Sequence, residues 1–171
     1  MKKGTWAVLF FSAFQFALCG GGFSSEARAR WDVRNQIRRD KFDLILPQVM
    51  REHGIDMWLT VMKEGNFDPL HLDLGQGYVS SIGFIIFTDR GGARIERASL
   101  GIDGYEIKNC GAYDIFGSPE NLQKFVAERN PKKIGVNMSE HLGRADGLSH
   151  AAFEYLQKTL DEKFHSRIVS A

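Results

Sequence analysis

Two long apolar runs separated by a polar segment are the feature of the sequence that most limits the possible folds. The runs are IDMWLTVM at residues 55–62 and YVSSIGFIIFT at residues 78–88. Runs of this kind are typical of strands buried on both faces, as in a sheet covered by helices. The sequence therefore predicts a central sheet with helices against it.

The segment before the first run has helical spacing and a clear stop signal. Residues 32–54 carry apolar side chains three and four positions apart, at Phe42, Ile45, Leu46, Val49 and Met50. Pro47 lies inside this pattern and is expected to kink or restart the helix. Gly54 is expected to end the helix in a left-handed conformation.

The remaining segments predict alternating strands and helices. After the second run, a turn at residues 89–92 and a half-exposed strand at residues 93–100 predict a hairpin. Beyond it we expect, in order, a short strand within residues 103–116, a helix from Ser118 to Arg129, a strand at residues 133–137, a mostly helical segment at residues 139–164 and a last strand at residues 167–171. The fold class is therefore α/β, with a mixed β-sheet flanked by helices.

The first residues predict an export signal. Met1-Lys2-Lys3 is basic, residues 6–19 carry no charge, and small residues follow. We interpret residues 1–29 as a signal peptide with its cleavage point open between residues 19 and 29, and expect a periplasmic or extracellular protein. The uncharged run is shorter than the ~20 residues that a membrane span needs. Cys19 also fits a lipoprotein anchor, but the bulky Leu18 before it argues against lipidation.

Charge and cysteine content exclude several classes of protein. The formal net charge of +1 argues against a nucleic acid partner, because such proteins carry a basic excess. Cys110 is the one cysteine left after residue 29. A disulfide framework and a cysteine-based zinc site are therefore excluded for residues 30–171, and Cys110 is expected to be a small buried apolar residue.

No familiar active-site motif is present in the sequence. Gly75, Gly77 and Gly83 have the wrong spacing for a dinucleotide fingerprint, and a strand follows them instead of a helix. The histidines show neither an H-x-x-x-H nor an H-E-x-x-H spacing. Asp68, His71 and Asp73 lie close together in the sequence and could form a ligand set or a small hydrolase site, but solvated side chains are the better interpretation. We therefore predict neither a catalytic residue nor a metal ligand in this chain.

The long polar connection at residues 63–77 is unusual within a compact domain and indicates a functional loop or a docking surface. It contains Glu64-x-Asn66-x-Asp68-Pro69, and the sequence later reads Ala145-Asp146-Gly147-Leu148. With these motifs and the order of its elements, the chain from residue 30 to residue 171 resembles the N-terminal, creatinase-like domain of aminopeptidase P/prolidase (pita-bread) metallopeptidases. One departure is YVSSIGF at residues 78–84, which has one residue more than the corresponding stretch of many relatives.

The resemblance implies a ribonuclease H-like fold and a role in a larger enzyme. In this family a C-terminal domain holds two divalent metals, usually Mn, Zn or Co, and hydrolyses the bond before proline. That catalytic domain is absent from this chain, so the chain is expected to be inactive alone. The resemblance also implies a homo-oligomer, a peptide substrate and a loop that completes a partner's substrate pocket. The candidate residues for that loop are Glu64, Asn66, Asp68, His71, Asp73 and Tyr78.

Two interpretations of the whole chain remain. The first is a truncated or split N-terminal domain of an exported Xaa-Pro peptidase-like enzyme, paired with its catalytic domain in cis or in trans. The second is a free-standing periplasmic binding or assembly module without enzymatic activity. If a catalytic half exists, apolar surface is expected where it docks, on the face carrying Trp58 or Phe84.

Overall fold

The computed structural model describes residues 20–171, with side chains from residue 25. The apolar part of the predicted signal peptide, residues 6–19, lies outside these residues. The described chain divides into two compact units, the first ending at Gln36 and the second comprising Ile37–Ala171. Among the described helices, none has the length and apolar character that a membrane span requires.

Helices and strands alternate along the chain. The helices are α1 (Gly20–Asp40), α2 (Leu46–Glu52), α3 (His71–Leu74), α4 (Tyr105–Asn109), α5 (Leu122–Arg129) and α6 (His150–Thr159). The strands are β1 (Met57–Lys63), β2 (Tyr78–Thr88), β3 (Glu96–Asp103), β4 (Ile115–Gly117), β5 (Ile134–Val136) and β6 (Ile168–Ser170). A π-helical turn, Lys41–Ile45, joins α1 to α2, and 3₁₀ turns are formed by Pro119–Asn121, Gly143–Ala145 and Glu162–Arg167.

The six strands form one mixed sheet in the order β4-β3-β2-β1-β5-β6. β1, β2 and β3 pair antiparallel, whereas β4 pairs parallel with β3, and β5 pairs parallel with both β1 and β6. Both apolar runs of the sequence are central strands, as predicted. The predicted α/β class with a mixed sheet flanked by helices is therefore confirmed.

The sheet separates two apolar layers. Met57, Leu59 and Phe84 belong to one layer together with side chains of α5 and α6. Ile85 and Phe87 belong to the other layer, together with side chains of α3, α4 and the π-helical turn. Alternate residues of β1 and β2 thus enter opposite layers, which is why both strands are apolar at nearly every position.

The pairing of β2 with β3 is interrupted at residues 80–83 of β2. Val79 pairs with Ile102, but the next pair is Phe84 with Leu100, so β2 contains extra residues at this point. Gly101 adopts a φ of 72° there, and a Cβ at this position would lie 2.7 Å from the Ile82 carbonyl oxygen. The bulge places Leu100 and Ile102 in opposite layers, although strict alternation would place them in the same one.

Several predicted details differ from the structure. Phe42 and Met50 are buried, but Ile45 is 55% and Val49 is 42% exposed. The π-helical turn is the reason, because it adds a residue to the turn and shifts the phase of the apolar stripe. Pro47, which was expected to kink or restart the helix, occupies the first turn of α2, directly after the π-helical turn. Gly54 has the expected left-handed conformation, with a φ of 61°.

Three further predictions differ from the structure in burial or in extent. β3 is buried at most positions and not half-exposed, because helices and the π-helical turn cover both faces of the sheet. The segment 139–164 is helical mainly in α6, since its first part forms turns. The first part of segment 103–116 forms α4, and its predicted strand is confined to β4. Cys110 is buried and unpaired, as expected for a small apolar residue.

Candidate functional site

A buried polar cluster fixes the loop between β1 and β2 to the strand β5. Asp68 is 1% exposed, and its carboxylate accepts hydrogen bonds from the Leu70 backbone N–H at 2.8 Å and from the Asn137 Nδ2 at 2.7 Å. The Asn137 Oδ1 in turn accepts a hydrogen bond of 2.7 Å from the Trp58 Nε1. Asp68, Asn137 and Trp58 thus form a continuous chain of hydrogen bonds, which we call the polar relay.

The strand or loop that carries each residue of the relay determines its position. Trp58 lies on β1, and Asn137 follows directly after β5, which pairs parallel with β1. Asp68 precedes α3, and its Oδ1 accepts a hydrogen bond from the Leu70 N–H in the turn before the helix. The Asn137 amide can serve both neighbours because its oxygen accepts while its nitrogen donates.

The environment of Asp68 raises the pKa of its carboxyl above the usual value. Removal of the carboxylate from water is the larger cause, since burial disfavours the charged form. The hydrogen bonds from Leu70 and Asn137 act in the opposite direction and lower the pKa, as does the nearby His71.

Gly147 packs directly against the relay. A Cβ on Gly147 would lie 2.1 Å from the Asp68 Oδ2 and 2.7 Å from the Pro69 Cδ, so any larger residue would collide with both. The two motifs that carry the sequence resemblance, residues 64–69 and 145–148, therefore meet in space at Gly147. No pattern in the sequence reveals this long-range contact.

The other loop candidates lie on the surface around this anchor. Glu64 and Asn66 are exposed in a tight turn closed by reciprocal backbone hydrogen bonds of 3.0 Å between Lys63 and Asn66. Tyr78, at the end of the loop, is 64% exposed. The exposed apolar side chains Phe67 and Leu72 add to this surface.

Asp68, His71 and Asp73 do not converge on one site. The His71 Nδ1 lies 3.0 Å from the backbone oxygen of Asp68 and not against its carboxylate, while its ring stacks on Phe67. Asp73 points elsewhere and pairs with Lys41 at 2.9 Å. Within residues 20–171, no three His, Cys, Asp or Glu side chains are arranged as a metal-binding group. The described residues therefore offer no ligand set into which a catalytic metal would fit.

The sequence analysis did not identify Asn137 as a candidate site residue, and it named Trp58 only as a residue of a possible docking face. Trp58 is half-buried, and Phe84, the other residue proposed for a docking face, is fully buried in the layer under α5 and α6. Asn137 could have been noticed as a polar residue at the carboxyl end of a short apolar strand, where ligand-facing side chains of α/β sheets often lie.

Comparison with known proteins does not establish a family for this chain. No model of a known protein family matches it, and no curated protein does. Among solved structures, a Xaa-Pro dipeptidase from Bacillus anthracis matches 81% of the chain with 15% sequence identity and a TM-score of 0.42. The chain spans 32% of the length of that dipeptidase.

Proposed function

We propose that this chain is the non-catalytic N-terminal domain of an exported Xaa-Pro peptidase-like metallopeptidase, with a creatinase-like fold. It would support dimerisation and complete a substrate pocket, and two divalent metals would belong to a separate catalytic domain. The observation that carries the proposal is the contact at Gly147, where the two motifs of the sequence resemblance meet around the buried carboxylate of Asp68. Gly147 and the segment Asp68–Pro69, which lie far apart in the sequence, thus pack directly against each other.

The construction of the loop supports a role toward a partner. Its base is held by the relay and by the bond from the Tyr113 hydroxyl to the Leu74 carbonyl, at 2.5 Å. Its outer side presents Phe67, which is 40% exposed, and Leu72, which is 54% exposed. A rigid base with exposed apolar side chains is suited to contact a substrate or a second protein, because little conformational entropy is lost on binding.

The proposal is tested by the DNA that follows codon 171 and by a complementation assay. We expect an in-frame continuation or an adjacent frame that encodes a metal-binding catalytic domain with Asp, Asp, His, Glu and Glu ligands. Co-expressed with this chain, that domain should copurify with it and hydrolyse Xaa-Pro peptides in the presence of Mn²⁺, while this chain alone should not.

A matched pair of variants tests the loop itself. Phe67→Ala should raise KM for the peptide in the reconstituted enzyme, whereas Phe116→Ala, on the edge strand β4 and 43% exposed, should leave KM unchanged.

Xaa-Pro hydrolysis by the purified chain alone, or a stop codon with no such frame nearby, would contradict the proposal. The second result would favour the free-standing binding module.

A further inference from the structure

Three large aliphatic side chains are exposed along the π-helical turn and α2, within the second unit. Leu44 is 73% exposed, and Ile45 and Val49 are also largely in water. The sequence pattern predicts Ile45 and Val49 as members of the buried stripe, but the phase shift of the π-helical turn places them outside the core. Several aliphatic side chains exposed together on one helical segment indicate an interaction surface.

These side chains lie on one face of the segment 41–52. Its positions 41, 45, 49 and 52 are spaced by four, four and three residues, and positions 44 and 48 form the adjacent row, so their side chains are neighbours on the helix surface. Phe42, Pro47 and Met50 lie on the buried side of the same segment. We call the exposed face the outer stripe, and its members are Lys41, Leu44, Ile45, Gln48, Val49 and Glu52.

The outer stripe is complementary to a second copy of itself. Its ends carry opposite charges, Lys41 and Glu52, which are separated by about 16 Å along the helix axis at a rise of ~1.5 Å per residue. These two residues are equally distant from the midpoint between residues 46 and 47, and so are Leu44 and Val49. An antiparallel second copy that crosses at this midpoint would place Lys41 against Glu52 of the second copy, and Leu44 against Val49 of the second copy. A parallel copy would place like charges together, which costs binding energy.

The charges at both ends of the stripe are able to bind a second copy. The Lys41 Nζ pairs with the Asp73 Oδ1 at 2.9 Å, and the Glu52 Oε1 accepts a hydrogen bond of 2.8 Å from the Gln48 Nε2. Both contacts are exposed to water and therefore weak. An ammonium has three donors and a carboxylate has two oxygens, so each group can keep its present contact and form another.

We propose that two copies of this chain associate through their outer stripes, antiparallel about a two-fold axis that passes between residues 46 and 47. The two copies would then use the same surface, as in other two-fold dimers. The inference deepens the proposed function, because it assigns a surface to the proposed dimerisation. A contact between two short helical segments belongs at the low end of interface sizes, below ~1,200 Å², so we expect a dissociation constant on the order of 10–100 µM.

Sedimentation equilibrium of the full chain, from about 1 µM to about 300 µM, measures this association. Leu44→Asp should weaken it at least tenfold, because a carboxylate would be placed in the apolar centre of the contact. Leu142→Asp is the matched control, since Leu142 is 66% exposed and lies outside the outer stripe, and it should leave the association unchanged. Urea unfolding of both variants verifies that each remains folded.

Exchange of the two end charges tests the antiparallel arrangement. Lys41→Glu and Glu52→Lys should each weaken self-association about fivefold, because each places like charges at both ends of the contact. An equimolar mixture of these two variants should associate more tightly than either variant alone, since every end of the mixed dimer joins opposite charges. Lys41→Glu also faces Asp73 of its own chain, but mixing does not relieve that repulsion, so recovery in the mixture reports on the contact between copies.

Three results would overturn this inference. They are a chain that sediments as a monomer over the whole concentration range, equal effects of Leu44→Asp and Leu142→Asp, and a mixture that associates no more tightly than its components. The complementation assay separates this inference from the proposed function. Hydrolysis supported by a monomeric chain would overturn the dimer and leave the role as an N-terminal domain, whereas a dimer of the expected charge dependence without hydrolysis would do the reverse.

Discussion

Gly147 lies against the carboxylate of Asp68, so the sequence tolerates no side chain at this position. We expect Gly147→Ala to destabilise the protein by about 1–3 kcal/mol, because the new Cβ would overlap the Asp68 Oδ2 and the Pro69 ring. The measurement is urea unfolding followed by circular dichroism. Gly143→Ala is the matched control, since a Cβ there meets no atom within 4 Å. Equal stability of the two variants would contradict the packing at Gly147.

The buried carboxylate of Asp68 makes stability depend on pH. Because its folded pKa is raised, the unfolded chain loses this proton first as the pH rises, and stability falls between the unfolded and the folded pKa. Asp68→Asn should remove this fall. It should also cost about 1–3 kcal/mol at neutral pH, because an amide cannot accept from both the Leu70 N–H and the Asn137 Nδ2.

Urea titrations of both proteins from pH 3 to pH 8 test this prediction. The free energy of unfolding of the parent chain, minus that of Asp68→Asn, should decrease with rising pH through the acid range and then become constant. A difference that grows with rising pH would show that the folded pKa is lowered, and would contradict the assignment.

At the level of elements, the π-helical turn is held to β3 by a buried guanidinium. Arg97 is fully buried, forms an ion pair with Asp43, and lies with its Cζ 5.4 Å from the Phe42 ring centroid. Phe42 and Asp43, two consecutive residues of the π-helical turn, thus contact the same side chain. Among the described residues, the Arg97 Nε has no hydrogen-bond partner, so the pair is incompletely satisfied.

This arrangement predicts an asymmetry between the two partners. Asp43→Ala should destabilise the protein by about 1–3 kcal/mol, because it leaves the buried guanidinium without its carboxylate. Arg97→Met should cost less, since the Asp43 side chain is 45% exposed and can be solvated. Thermal unfolding of both variants measures the difference, and Arg97→Met as the more damaging change would contradict this account.

The two central strands were predictable, whereas the π-helical turn and the bulge between β2 and β3 were not. The apolar runs located β1 and β2, because strands that are buried on both faces of a sheet carry mainly apolar side chains. Leu59 and Phe87 are examples. The π-helical turn was missed because the side chain that it contacts, Arg97, lies more than 50 residues away in the sequence. The same limit applies to the site. The loop and Asp68 could be found in the sequence, but the bonds to Asn137 and Trp58 depend on the pairing of β1 with β5.

At the scale of the whole molecule, the predicted export signal leads to a prediction of the residue at which the exported protein begins. We expect the exported protein to begin between residues 20 and 30, as measured by intact mass of the protein from the periplasm or the medium. The described helix α1 begins at Gly20, and its exposed ion pair between Arg28 and Asp32, at 3.2 Å, spans the later cleavage position. Retention of Met1 in a cytoplasmic protein would contradict the prediction.

The location of the core predicts that such processing leaves the stability of the second unit intact. Among residues 25–171, every member of the two apolar layers lies between Phe42 and Val169, so residues 25–29 contribute none of them. We expect the chain 30–171 to unfold in one transition, with a denaturant m-value within about 15% of that of the full chain, because m follows the surface exposed on unfolding. A chain beginning at residue 54 is the control. It lacks Phe42 and Met50, which belong to the layer on the α2 side, and should lose cooperative unfolding. A large loss of m on removal of residues 1–29 would mean that the N-terminal segment contributes buried surface of its own.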